Sequence, residues 1–303
     1  LLLALSIVLS SASAFAQEFP RISPEAAGLS SAGLAQVTKN LQRHVDEGDI
    51  AGAVAAVLRD GKLVYFESVG MRDLATGSPM PDDALFRIYS MTRPVTSLAA
   101  MILWEEGKFQ LDDPISKYLP QFAQQRVFVD GSSPAMDQTR ERQGEIKVAD
   151  LMRHTSGLGS RSSQIYVEQS VRSRSISLEQ LTNNAARVPL FEDPGTNFRY
   201  GLSATILGRL IEVWSGQALD EFMAERVFQP LGMSDTVFWV DPSRAPRLAT
   251  VYRPNANGSL QVVAMEDIDF TEQVPLVEGG VGLVSSTLDF ARFSQLYLNG
   301  GEL

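Results

Sequence analysis

Cysteine is absent from the 303 residues, and histidine occurs only twice. Neither a disulfide framework nor a lipid-bearing cysteine is therefore available, and the fold rests on packing alone. His44 and His154 lie far apart and without local ligand spacing, so no metal centre is expected and nothing asks for a cofactor. Basic tracts are missing as well: 26 Lys and Arg stand against 36 Asp and Glu, for a net charge of -10. That balance speaks against a nucleic-acid partner. Beyond the N-terminal segment no run approaches the ~20 apolar residues a bilayer span requires, so no stable membrane anchor is expected.

What is present is ordinary globular material, 44% hydrophobic and 20% charged, enough for a large core. The opening "LLLALSIVLSSASAFAQ" is an apolar run ending in small residues, with Ala14-Phe-Ala16 as a cleavage site before Gln17. Residues 1–16 are thus expected to be a partial signal peptide, and the mature protein to be exported, periplasmic or secreted. Residues 17–303 contain no internal repeat and no linker rich enough to divide them, and they are expected to form a single domain.

Apolar spacing at Leu34, Val37, Leu41 and Val45 predicts an amphipathic helix between Leu29 and Glu47. A hairpin follows, with strands near Ala53 to Leu58 and Leu63 to Val69 around an Asp60-Gly61 turn. Pro94 is tolerated only in the first turn of a helix, so the next helix is expected to begin close to Ser90 and to stop at Gly107. Its face reads Val95, Leu98, Ala99 and Ile102. Two polar stretches, Phe122 to Lys147 and the segment from Gly159, exceed usual connection lengths and read as lids or loops around a cleft. Ser177 to Gln180 forms a capping box, Ser203 to Trp214 an amphipathic helix with Ile206, Leu207, Leu210 and Val213 on one face, and "GGVGLVSS" a short strand feeding a helix Leu288 to Leu298.

Two serines compete for a catalytic role. Gly201-Leu-Ser-Ala-Thr205 half matches a nucleophile elbow, but the last glycine is missing and both histidines precede Ser203, where that chemistry needs one after it. Ser90-Met-Thr-Arg93 is the stronger candidate: a serine at a helix mouth, three residues before a cation. As a plain N-cap Ser90 would be equally well suited, since serine is among the best caps.

The ordered segments "FRIYSMTRPVTSLAAM", "LDDPISKYLPQF", "LMRHTSGL", "PGTNFRYGLSATILGRLIE" and "VFQPLGMSDTVF" resemble the serine β-lactamase and penicillin-binding-protein superfamily, in its class C β-lactamase-like branch that includes many esterases. The resemblance runs from about Ala53 to the end. It implies an α+β fold of the β-lactamase/transpeptidase type, an antiparallel sheet flanked by helices with an all-helical region. It makes Ser90 the acylated nucleophile, puts Arg93 where the family has lysine, and makes Tyr200 the tyrosine of the second motif. Leu202 takes the substrate-binding place that asparagine holds in true β-lactamases, so among the small-molecule esters, amides and β-lactams that the resemblance implies as substrates of a serine hydrolase, an ester is expected before a penicillin. His154 and Ser156 read as turn-forming residues of "HTSGL".

Arginine cannot act as the base that the family's lysine helps to provide. It can supply field: a full charge ~4 Å away, at an effective dielectric near 20, is worth about 4 kcal/mol, enough to favour a phenolate. The expected mechanism is acylation of Ser90 with Tyr200 as base. A non-catalytic relative binding cell-wall peptide or β-lactam, and a D-amino-acid peptidase or transpeptidase, are the alternatives. The family's third motif, a K-T-G-like or W-G-G-like strand giving one oxyanion donor, has no match here, so the C-terminal strands are expected to lie beyond these residues.

Overall fold

Ser30 opens the first helix, its hydroxyl accepting from the N–H of Gly33, and the helix α1 runs Ser31–Asp46 as its apolar spacing predicts. The computed structural model describes residues 19–263 and 270–302; the expected signal peptide lies outside the described residues. Strands β1 (Gly52–Arg59) and β2 (Lys62–Asp73) pair antiparallel around Asp60-Gly61, both at positive φ as a tight hairpin turn requires. A short β3 (Ser78–Pro79) completes this sheet in the order β1-β2-β3. The hydroxyls of Thr38 and Tyr65, 3.0 Å apart, tie α1 to β2. Although β1 reads "GAVAAVLR", none of its residues is fully buried.

After β4 (Leu85–Arg87) the chain enters a turn of 3-10 helix, Tyr89–Met91, and then α2 (Thr92–Glu105). This corrects the N-cap reading of Ser90: the helix begins two residues later, Met91 occupies the cap position in helical conformation, and no side chain caps it. Gly107 lies just beyond the end with φ 73, as a helix stop requires. Val95, Thr96, Ala99, Ala100 and Leu103 are buried, while Leu98 and Ile102 are only partly so.

The long polar stretch after Phe122 is less irregular than its composition suggests. Val127–Phe128 (β5) and Thr139–Arg140 (β6) pair within it, and both residues of β5 are buried. Next come α3 (Val148–Arg153), α4 (Gln164–Glu168) and α5 (Leu178–Arg187), the last capped by Ser177. Then α6 (Ser203–Ser215) buries nine residues, including Ile206, Leu207 and Leu210. Val213, expected on that face, is 39% exposed. The remaining elements are α7 (Leu219–Met223), a π-helical turn at Ala224–Phe228, α8 (Gln229–Leu231), β7 (Tyr252–Pro254), β8 (Leu260–Val262), β9 (Val284–Ser286) and α9 (Thr287–Leu298).

The main core is built where α2, α3, α5, α6 and α7 meet, and a smaller cluster gathers Leu85, Val240, Phe270 and Val284 around the β4–β9 pair. The chain thus divides into a helical region and antiparallel sheet, with Ser90 at the junction. Among the described residues no helix is long and apolar enough to cross a membrane.

Candidate active site

The turn bearing Ser90 is held from below. Ile88 N–H donates to Leu283 O at 3.0 Å, Leu283 N–H donates to Thr92 Oγ1 at 3.1 Å, and Thr96 Oγ1 donates to Gly279 O at 2.6 Å. Segment 279–283 therefore fixes both the approach to the turn and the first turns of α2. Tyr89 has φ 44, a conformation that costs a bulky residue on the order of 1 kcal/mol or more and that persists only where surroundings enforce it. Its consequence is a sharp change of direction immediately before Ser90, which is exposed to the cleft.

Tyr200 comes from 110 residues further along the chain, on a segment pinned by Arg199 N–H to His154 O (2.8 Å) and Leu202 N–H to Gly159 O (3.0 Å). Between them, Gly201 presses against the 158–159 backbone so closely that a Cβ would fall 2.4 Å from Gly159 O. Only glycine fits. Ser90, Arg93, Tyr200 and Leu202 line a single cleft together with Tyr89, Ser160, Arg161, Ser162, Gly201, Thr205, Glu278 and Val281. Leu202 is 2% exposed, so it forms part of the wall and belongs mainly to the core.

Arg93 is held from the Tyr200 segment by two contacts. Its Nη1 donates to Gly201 O at 2.9 Å, and its guanidinium carbon lies 4.0 Å from the centre of the Tyr200 ring. Burial pushes its pKa down from the usual arginine value, while the charges of Tyr200 and Glu278 push the other way. At neutral pH it remains a cation.

His154 was expected to serve the turn, and it does: it closes α3 in the left-handed region with φ 59. Asp150 secures the turn by accepting from Lys147 N–H (2.9 Å) and Thr155 Oγ1 (2.7 Å). The structure adds something that the motif did not reveal. The imidazole sits in the site, its ring centre 4.8 Å from that of Tyr200 and its Nε2 3.5 Å from Arg93 Nη1. Burial, followed by the Arg93 charge, lowers its pKa from 6.5 to about 4, so it is neutral at physiological pH.

Ser203 is fully buried, with its hydroxyl 2.8 Å from that of Ser156, which removes it as a rival nucleophile. Glu278, not singled out from the sequence, lies 2% exposed beside the cleft, paired with Arg172 at 2.8 Å. No local signal marks it, because its partners are brought in from α6 and from the segment after α4. His44 is not wholly without neighbours of ligand type: His44, Glu47 and Asp49 bring ligand atoms within 4.8 Å of one another. All three are surface groups, with His44 2.8 Å from Asp49 and Glu47 paired to Arg43.

A serine on a 3-10 turn before a core helix, sharing one cleft with a tyrosine and a half-buried cation, is the arrangement the ordered motifs call for. Residues 37–303 match the family model described as Beta-lactamase. The chain belongs to the beta-lactamase family. Esterase EstB of Burkholderia gladioli is 32% identical over 267 residues, covering 85% of this chain and 63% of its own length. An uncharacterized protein of Mycobacterium tuberculosis is 35% identical over 261 residues, covering 85% of this chain and 65% of its own. The solved structure of EstCE1, a hydrolase with promiscuous acyltransferase activity, superposes with a TM-score of 0.77 at 28% identity, covering 90% of this chain and 74% of that one. This beta-lactamase-family chain spans less than two thirds of the length of the first two, and its fold is the β-lactamase/transpeptidase-like α+β fold expected from the motifs.

Proposed function

We propose that this chain carries the acylation machinery of a serine hydrolase that cleaves carboxylic esters through a Ser90 acyl-enzyme. The observation that carries the reading is the meeting of Ser90, Arg93 and Tyr200 in one cleft, with the Arg93 charge 4.0 Å from the Tyr200 ring. Tyr200, as phenolate, takes the Ser90 proton as Oγ attacks the ester carbon. The tetrahedral oxyanion collapses, the carbon–oxygen bond to the alcohol breaks, and the departing alkoxide takes the proton back from Tyr200. Water repeats the sequence in reverse and releases the acid; an alcohol in its place gives acyl transfer. Arg93 neither gives nor takes a proton, and its fixed charge offsets the negative charge on Tyr200. The backbone N–H of Ser90 is one donor to the oxyanion.

Esters are preferred to β-lactams or D-peptides on two grounds. Leu202 offers no polar side chain where a β-lactamase would hold a substrate amide, and relatives of this chain are named as an esterase and as a hydrolase with acyltransferase activity. Short p-nitrophenyl esters and a fluorescent phosphonate provide the test: turnover and labelling are expected of the wild type and absent in Ser90→Ala. Equal labelling of both proteins overturns the assignment.

Export belongs to the same proposal and rests on "LLLALSIVLSSASAFAQ", which lies outside the described residues. Fractionation of the native host followed by N-terminal sequencing is expected to find a mature protein beginning at Gln17. Cytoplasmic protein retaining the apolar run overturns it.

A further inference from the structure

Glu278 is a buried carboxylate that the acylation scheme leaves unused. Its segment is pressed into the gap between the N-terminal turns of α2 and α6: a Cβ on Gly280 would fall 2.6 Å from Thr205 Oγ1, and one on Gly279 3.0 Å from Ala204 O. With this close packing at 279 and 280, Glu278 is placed in the lining of the cleft, where it is 2% exposed. One carboxylate oxygen accepts from Arg172 Nε at 2.8 Å and the other from Thr205 Oγ1 at 3.2 Å. Thr205 belongs to the first turn of the helix that follows Tyr200, and Arg172 to the segment whose residues Ser160, Arg161 and Ser162 also line the cleft.

We propose that Glu278 is a positioning residue for the Ser90 reaction: it supplies the counter-charge that a permanently cationic Arg93 requires, and holds the 160–174 wall against the Tyr200 segment. This inference rests on the hydrolase reading above. A lysine in the family's position can relieve excess positive charge by losing its proton, whereas arginine cannot. A fixed cation therefore needs a fixed anion nearby, and the anion must stay off the guanidinium face that stacks on Tyr200. Glu278 meets both conditions, since it lines the same cleft as Arg93 and its charge raises the Arg93 pKa, while its own hydrogen bonds go to Arg172 and Thr205. The groups around this balance are Tyr89 on the turn before α2, Arg93 on α2, the neutral His154 at the end of α3, Tyr200 before α6, and Arg161, Arg172 and Arg174 on the wall.

Removing the negative charge leaves the site more positive, which favours the phenolate but makes it a weaker base. In Glu278→Gln the acid limb of kcat/KM for a p-nitrophenyl ester is expected to move down by about one pH unit, with a plateau about tenfold lower. Arg172→Gln, which removes one of the cations beside Glu278, is expected to move the limb the other way. Both variants are measured beside the wild type, with thermal unfolding as the control for folding. Limbs that stay in place, or that move in the same direction while both proteins are folded, overturn the proposal; so does failure of the isosteric Glu278→Gln to fold, which would assign Glu278 to stability alone. If only Arg172→Gln fails to fold, the Glu278→Gln limb decides. A wild-type protein that turns over no ester overturns the hydrolase reading itself, whereas an active one with unmoved limbs overturns only the role of Glu278.

Discussion

The guanidinium carbon of Arg93 lies 4.0 Å from the centre of the Tyr200 ring, with Nη1 donating to the neighbouring carbonyl of Gly201 at 2.9 Å. The cation thus meets the tyrosine through its ring face while being anchored to the backbone carbonyl of the residue that follows it. A planar, delocalised cation suits both contacts at once, since guanidinium stacks on aromatic faces and presents its donors in a fixed fork. The substitution is therefore accommodated by geometry, and the two halves of Tyr200 have separable duties. The ring packs on Arg93, and the hydroxyl is the group proposed to move protons.

Tyr200→Phe separates them. The ring and its stacking on Arg93 remain, so thermal stability is expected to stay within about 0.5 kcal/mol of the wild type at this half-exposed position. With the hydroxyl gone, kcat for a p-nitrophenyl ester is expected to fall by about 10²–10⁴, with KM little changed. Full turnover by the folded variant would remove Tyr200 as the base.

Arg93 is expected to tolerate lysine and not a neutral residue. Arg93→Lys restores a group able to exchange protons and should stay within about tenfold of wild-type kcat. Arg93→Met removes the charge and should lose about 10²–10³, the usual scale for one electrostatic contact at a developing charge. Steady-state kinetics on both variants checks this. Equal activity in the methionine and lysine variants would show that the charge is idle.

Local chemistry was legible in the sequence wherever local forces decide the structure. Asp60-Gly61 marked its hairpin because few other pairs adopt positive φ together, and Ser177 marked the start of α5 because its hydroxyl satisfies a helix N–H. Ser90 and Tyr200 were legible through the order of their motifs, and one cleft does bring them together. Three features were not. The strained Tyr89 is held by the segment around Leu283, His154 reaches Arg93 because α2 and α3 both pack on α6, and Glu278 acquires its partners from two distant segments. Periodicity reports which face of an element is apolar and says nothing about which faces meet. Even there Val213 misled, since the apolar stripe of α6 is wider than the surface its neighbours cover.

Gly201 is expected to be intolerant of any side chain. A Cβ there would lie 2.4 Å from Gly159 O and 2.5 Å from Leu158 O, and because both contacts are backbone, no rotamer change relieves them. Gly201→Ala should lose about 1–3 kcal/mol by urea unfolding, the scale for overpacking. Because the displaced peptide joins Tyr200 to Leu202 and its carbonyl anchors Arg93, kcat should drop at temperatures where the variant is still fully folded. A variant with wild-type kcat would show that the cleft wall yields without moving Tyr200.

His154 makes stability depend on pH through a folded-state pKa held well below its ordinary value. Its folded-state pKa is about 4 against an ordinary 6.5, lowered first by burial and then by Arg93. Between those values the unfolded chain binds a proton that the folded protein refuses, so stability falls as pH drops from about 6.5 to about 4. Above the window the imidazole is neutral in both states and its contribution is constant; below it both states are protonated and the penalty is complete. The full effect is up to about 3 kcal/mol at ~1.36 kcal/mol per unit, reduced by whatever solvent reaches a half-buried ring. Asp113 and Asp193, whose pKa values are lowered by hydrogen bonds from Tyr118 and Arg140, titrate below the ordinary carboxylate range and add their losses at lower pH. The difference between wild type and His154→Gln therefore isolates the histidine: urea unfolding from pH 4 to pH 7 should show a shallower slope for the variant, with the gap between the two curves changing most steeply near the middle of the window and complete by about pH 4. Parallel curves across that range would mean that His154 takes up its proton without cost and that the Arg93 charge does not reach it.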